Sequence, residues 1–154
     1  MKWVAKDIKM YMKAKEYIDT AVIPLLPVSF GQDMKETASM TEFITLLSAL
    51  LERQFTGRIL LLPPFTYLKA DENEQAVSEL KNWTETVKYS GFKHVFYLTS
   101  ESRWKMLEDD LDGSLLWVPA LPIDQLEDFQ KWSIMESQAG QLFNFFTRKW
   151  QDNE

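Results

Sequence analysis

Three glycines divide this chain at the same kind of boundary. Each closes a stretch with helical spacing and opens an apolar run: Gly57 before Ile59–Leu62, Gly91 before Val95–Leu98, and Gly113 before Leu115–Val118. Glycine readily takes the left-handed conformation that ends a helix and turns the chain back. Apolar runs of this length, bounded by turn residues and alternating with helices, read as strands covered on both faces. The pattern predicts crossover connections, hence strands that run parallel.

An opening helix is expected over about Lys6 to Tyr17. Val4, Ile8, Tyr11, Met12 and Ile18 fall on one side of it, and Lys2, Lys6, Lys9 and Lys13 on the other. The first strand is Ala21–Leu26, with regular pairing expected to stop near Pro24, which lacks an N–H. Ser39-Met40-Thr41-Glu42 has the spacing of a capping box and predicts the start of the next helix. Pro63-Pro64 should stop the second strand. Asp71, Glu72 and Glu74 should open the following helix, with Ala76, Leu80, Trp83 and Val87 as its buried stripe. A short helix should hold Trp104 and Leu107. Asp124–Glu127 and Ser133–Glu136 both have capping-box spacing, so the C-terminal region reads as helical with a break near Trp132. The whole predicts an α/β fold with three layers. Its four-stranded, mainly parallel sheet has the order 2-1-3-4, helices cover both faces, and residues 1–154 form one domain.

Composition narrows the function classes. The net charge is −6, which disfavours a polyphosphate partner, so no nucleic acid is expected. There is no cysteine, which removes disulfides, thiolate metal sites and thiol nucleophiles together. No signal peptide is visible, because Lys6, Asp7, Lys9, Lys13 and Lys15 interrupt the segment that would have to be apolar. These features point to a cytoplasmic protein.

In open parallel sheets ligands bind beyond the carboxyl ends of the strands. The loops expected there begin at Pro27, Pro63, Thr99 and Pro119. The first and third flank the point where strand order reverses, so Ser29, Gln32, Thr99, Ser100 and Glu101 are the candidate ligand-binding residues. They could serve a small molecule or an anion. The ordinary role of Ser100 or Ser102 would be to cap the next helix. No glycine-rich phosphate cradle is present. His94, the one histidine, sits at the opposite end of the third strand, and no nucleophile elbow accompanies it. Glu108–Gly113 imitates a calcium loop, but Pro119 stands where the bidentate glutamate should be. No catalytic residue, metal site or cofactor is therefore assigned.

Two features suggest partners. Phe143, Phe146 and Trp150 share one face of the last helix, and a protein partner or second copy of the chain is one reading of that stripe. The simpler reading is core packing. The basic amphipathic first helix has the composition of a lipid-binding segment. Its apolar side should be used up in covering the sheet, so peripheral membrane contact is not expected.

The stretch Tyr17-Ile18-Asp19-Thr20-Ala21-Val22-Ile23-Pro24-Leu25 resembles the start of the YpiF-like family, uncharacterised proteins of Bacillus-type bacteria. The family carries no assigned activity or catalytic residues. Its genes are associated with those of the menaquinol–cytochrome c reductase, which implies an accessory role near respiration. A fainter resemblance links Ala21–Pro24, Leu61–Tyr67 and Gly91–Leu98 to the first three strands of the creatinine-amidohydrolase fold. That family's metal-binding histidines have no counterpart here, which implies the scaffold without the metal chemistry. The reading that follows is a non-enzymatic accessory or protein-interaction domain. The alternative is a small-molecule or anion binder, or a degenerate amidohydrolase-like enzyme that has lost its metal site.

Overall fold

The computed structural model describes residues 1–70 and 73–152, so Asp71 and Glu72, expected to open a helix, lie outside the described residues. The elements in chain order are α1 (Ala5–Lys13), β1 (Thr20–Val28), α2 (Met34–Gln54), β2 (Ile59–Leu61), β3 (Phe65–Leu68), α3 (Glu74–Tyr89), β4 (His94–Thr99), a 3-10 helix (Ser102–Asp110), β5 (Ser114–Trp117), a 3-10 turn (Ile123–Gln125) and α4 (Asp128–Asp152). The sheet runs β2-β1-β4-β5, with β3 also paired to β1, and every pairing is parallel. This is the expected order with one strand added. The added strand is β3, read from sequence as a loop.

The prolines explain how β1 acquires two successive neighbours. In a parallel strand, alternate residues direct their backbone groups to opposite sides. Thr20 N donates to Arg58 O, Leu62 N to Val22 O, and Lys69 N to Val28 O, so the even-numbered residues of β1 face β2 and β3. Pro24 therefore withholds its missing donor on the side where Leu62–Pro64 separates β2 from β3. Pairing resumes at Leu25↔Phe65. Pro27 faces the other way, beyond Pro24↔Leu98, where pairing with β4 has ended. The expected break at Pro24 thus occurs on the β2/β3 side, where pairing resumes and carries β1 on to Val28, while pairing with β4 ends at Pro24↔Leu98.

Alternation along the strands fills two cores. Val22, Leu26, Phe96, Leu98 and Leu116 pack with α2 and α4, whereas Ala21, Ile23, Leu25, Val95 and Tyr97 pack with α3 and the 3-10 helix. The result is the expected three layers. α1 covers the second face only thinly. Ile8 and Tyr11 are half-buried, Tyr11 stacks on Phe92 at 5.6 Å, and none of the helix's residues is buried outright. It also ends at Lys13, short of the expected Tyr17.

Two helix boundaries differ from expectation for one reason: capping-box spacing also occurs inside helices. α2 starts at Met34, so Ser39 lies a full turn within it, and Thr37 and Met40 already face the core. α4 is a single helix through Trp132 and Gly140. Its buried residues Met135, Ala139, Leu142, Phe146 and Trp150 keep helical spacing without a break. Phe146 is fully buried, with its ring 4.4 Å from that of Phe96, and Trp150 Nε1 donates to Thr20 Oγ1 at 2.8 Å. The stripe offered as a partner surface is therefore largely core. Phe143 is half-covered against Phe55, while Phe129, Trp132 and Phe145 remain exposed.

The three boundary glycines do different work. Gly91 alone has a positive φ, at 111°, where a side chain would be strained. Gly113 is required by packing, because a Cβ there would lie 2.6 Å from the buried Tyr97 ring. Gly57 has nothing within 4 Å of that position.

Two sets of substitutions test these assignments by chemical denaturation. Phe146→Ala should cost about 3–5 kcal/mol, whereas Phe145→Ala should stay within about 0.5 kcal/mol of the parent. Gly113→Ala should destabilise by roughly 1–3 kcal/mol through overpacking. Gly57→Ala should be neutral or mildly stabilising through its effect on the unfolded chain.

Candidate functional site

Strand order reverses between β1 and β4, and the chain leaves those two strands toward opposite faces. That divergence opens a cleft of about 580 Å³ at their carboxyl ends. Its walls come from the first turns of α2 (Lys35, Glu36, Ser39), the end of β3 (Lys69), the segment after β4 (Ser100–Arg103) and the end of β5 (Trp117).

The core of the site is Glu101, which is 2% exposed. Tyr67 donates its phenolic hydrogen to Glu101 Oε1 at 2.5 Å, and Trp104 Nε1 donates to the Tyr67 oxygen at 2.7 Å. Burial, then the bond to Glu101, pushes the Tyr67 phenol far above its ordinary pKa, so it remains a donor. Glu101 Oε2 lies 3.6 Å from Arg103 Nε and 3.9 Å from Lys69 Nζ. These are ion-pair distances too long for hydrogen bonds, and Oε2 has no hydrogen-bond partner among the described residues. The same is true of Ser100 Oγ, on a residue only 5% exposed. Two buried oxygens, from successive residues lining one cleft, thus retain unused hydrogen-bonding capacity, which native interiors rarely tolerate.

A second layer fixes Lys69. Its ammonium is 2.9 Å from Asp33 Oδ2, and the Ser29 hydroxyl donates to Asp33 Oδ1. The Ser29 bond and Lys69 hold the Asp33 carboxyl below the usual carboxylate range. Asp33 in turn raises the pKa of Lys69. Trp117 is held by its Nε1 bond to Ser100 O at 3.1 Å, and Lys105 lies 3.6 Å above its ring.

Of the five residues expected here, Ser100 and Glu101 line the cleft. Thr99 lies beneath it, fully buried, and its Oγ1 accepts from Glu101 N at 3.1 Å. Ser29 acts at one remove, through Asp33. Gln32 is exposed and outside the lining. Neither Ser100 nor Ser102 caps the 3-10 helix, which has no side-chain cap. Sequence reasoning missed Lys69, Arg103, Tyr67 and Trp104. Tyr67 had a readable signal, because Phe65-Thr66-Tyr67 is rich in residues that favour strands, and that strand's end delivers Lys69. Among the described residues no group of three His, Asp or Glu side chains is placed to hold a metal ion. No described helix is long and apolar enough to cross a membrane.

The fold and cleft define an open, parallel α/β protein with a cleft lined by both charged and apolar groups at its switch point. Residues 9–150 match the family described as "Protein of unknown function (DUF2487)". Over 150 residues the chain is 39% identical to a protein of Bacillus subtilis (strain 168) named "Uncharacterized protein YpiF", covering 97% of this chain and 98% of that relative. The chain belongs to the DUF2487 family, and the resemblance noted at Tyr17–Leu25 extends over nearly its full length. No solved structure gives a significant match.

If the buried Tyr67–Glu101–Trp104 chain holds the site together, Tyr67→Phe leaves Glu101 Oε1 and Trp104 Nε1 unpaired. Thermal and urea denaturation should then show a loss of about 1–3 kcal/mol. A change within error would place the network outside the folding energetics.

Proposed function

We propose that the protein is a small-molecule binder whose site is the cleft at the carboxyl ends of β1, β3 and β4. The observation that carries this reading is that Ser100 Oγ and Glu101 Oε2, on two successive residues of the cleft lining, are buried without hydrogen-bond partners among the described residues. A ligand that offers donors to both would recover the desolvation already incurred.

Charge narrows the ligand class. Lys35, Lys69 and Arg103 are countered by Glu36, Glu101 and, against Lys69, Asp33. A balanced wall favours a neutral or zwitterionic polar molecule, such as an amino acid or polyol, over a polyanion. The volume suits a metabolite of modest size. Non-catalytic binding of this kind would fit the accessory role near respiration that the family resemblance implies.

A protein partner on α4 is less well supported. Phe146 and Trp150 belong to the core. At helical spacing the exposed Phe145 lies roughly 160° around the helix from Phe129, so the exposed aromatics do not form one patch.

A thermal-shift panel of amino acids, polyols and phosphorylated metabolites tests the proposal. A cognate ligand at about 100 times its Kd should add about 2.7 kcal/mol, raising the midpoint by roughly 5–10 °C. Glu101→Gln, which keeps the Oε1 acceptor, should abolish the shift while remaining folded. Shifts from phosphates alone, or none in any class, would count against this reading.

A further inference from the structure

We propose that α1 and the groove beside it form a docking face for an anionic membrane surface. Residues 2–15 carry five lysines against one carboxylate, in a chain whose net charge is −6. Lys6, Lys9 and Lys13 fall within one narrow arc of α1, and all three are exposed. The most basic segment of an acidic protein is thus displayed as a stripe.

The same segment leaves large apolar side chains in solvent. Trp3 is 55% exposed, Met10 52%, Met12 65% and Tyr17 68%. The premise against membrane contact was that the apolar side of this helix would be consumed by the sheet. Ile8 and Tyr11 meet it only in part, and the rest of the apolar surface is outward. Beside α1 lies an apolar groove of about 640 Å³, walled by Trp3, Tyr11, Trp83, Val87 and Phe92, with Lys15 on its lining. Trp83, expected in the buried stripe of α3, is 39% exposed there.

Charge decides the occupant. A second copy docked symmetrically would bring two lysine stripes together, which repel. A bilayer rich in acidic lipid attracts them, and each lysine near such a surface strengthens partitioning roughly fivefold. Tryptophan and tyrosine favour the headgroup level, where an apolar ring and a polar edge are both satisfied. The groove offers a lodging place for apolar parts of the lipid, with Lys15 on its lining.

The test uses the full chain in vesicle co-sedimentation and tryptophan emission. Vesicles containing phosphatidylglycerol should retain the protein at low salt, and phosphatidylcholine vesicles should not. Raising salt should release most of it, because exposed charges are screened beyond about 10 Å at 0.1 M. The triple variant Lys6→Glu, Lys9→Glu, Lys13→Glu alters only exposed side chains and should lose binding by at least an order of magnitude with circular dichroism unchanged. Trp3→Ala should weaken the salt-resistant remainder and remove part of the emission blue shift. Equal binding to both lipids, or binding that survives charge reversal, would overturn the proposal. So would a concentration-dependent dimer that Trp3→Ala disrupts in the absence of vesicle binding.

Discussion

The architecture hangs on β1, a strand buried on both faces and paired on both sides although two of its nine residues cannot donate a hydrogen bond. A proline inside a central strand normally costs a ladder bond. Here each missing donor points where ladder pairing is interrupted or has ended. Pro24 faces the gap between β2 and β3, and Pro27 faces the space past the end of β4 pairing. The gap carries its own prolines, Pro63 and Pro64, so donor-poor segments lie against each other across the sheet. That arrangement lets one strand template two short partners in succession, and the second of them carries the chain to Lys69.

The consequence for the site is geometric. Without β3 the edge of the sheet would end at Leu61, and neither Tyr67 nor Lys69 would reach Glu101. With it, residues distant in sequence converge on one buried carboxyl group: Tyr67 from β3, Trp104 and Arg103 from the 3-10 helix, and Lys69 braced by Asp33 at the start of α2. Burying a carboxyl group is costly unless its oxygens are satisfied. Oε1 is satisfied by Tyr67, and Oε2 has only the longer-range attraction of two cations. The asymmetry between the two oxygens is what the proposed binding role rests on.

Sheet order was legible because it follows from crossover helices and burial, properties spread over many residues. Apolar runs at Ile59, Val95 and Leu115 do not depend on any one side chain. Local signals were less reliable. The Ser39–Glu42 spacing imitates a helix start, yet the apolar stripe of α2 extends a turn earlier through Thr37. The Pro63-Pro64 pair was read as an end, although the strand-favouring Phe65-Thr66-Tyr67 just beyond it resumes the edge. Gly113 looked like a helix terminator and is instead a clearance for the Tyr97 ring. In the site, Ser100 and Glu101 could be named from the strand-end rule alone. Arg103 and Lys69 could not, because long cationic side chains are common and only the register of β3 shows which of them reach the carboxyl group.

The two proposed surfaces lie in different parts of the fold, and their chemistry is opposed. The cleft is nearly balanced in charge, with Ser100 and Glu101 buried on its wall and Lys69 braced by Asp33. The α1 face is strongly basic, apolar between its lysines and only lightly packed against the sheet. A rigid site suits recognition of a small polar molecule, since little ordering entropy remains to be lost on binding. A loosely held amphipathic segment suits an extended, chemically heterogeneous surface, where many weak contacts add and none must be placed accurately. They connect through the sheet edge: Lys2 bridges to Leu61, and Leu61 N donates to Met1 O at 2.8 Å. The segment that carries the lysines is thereby tied to the short strand β2, which three residues separate from the start of β3.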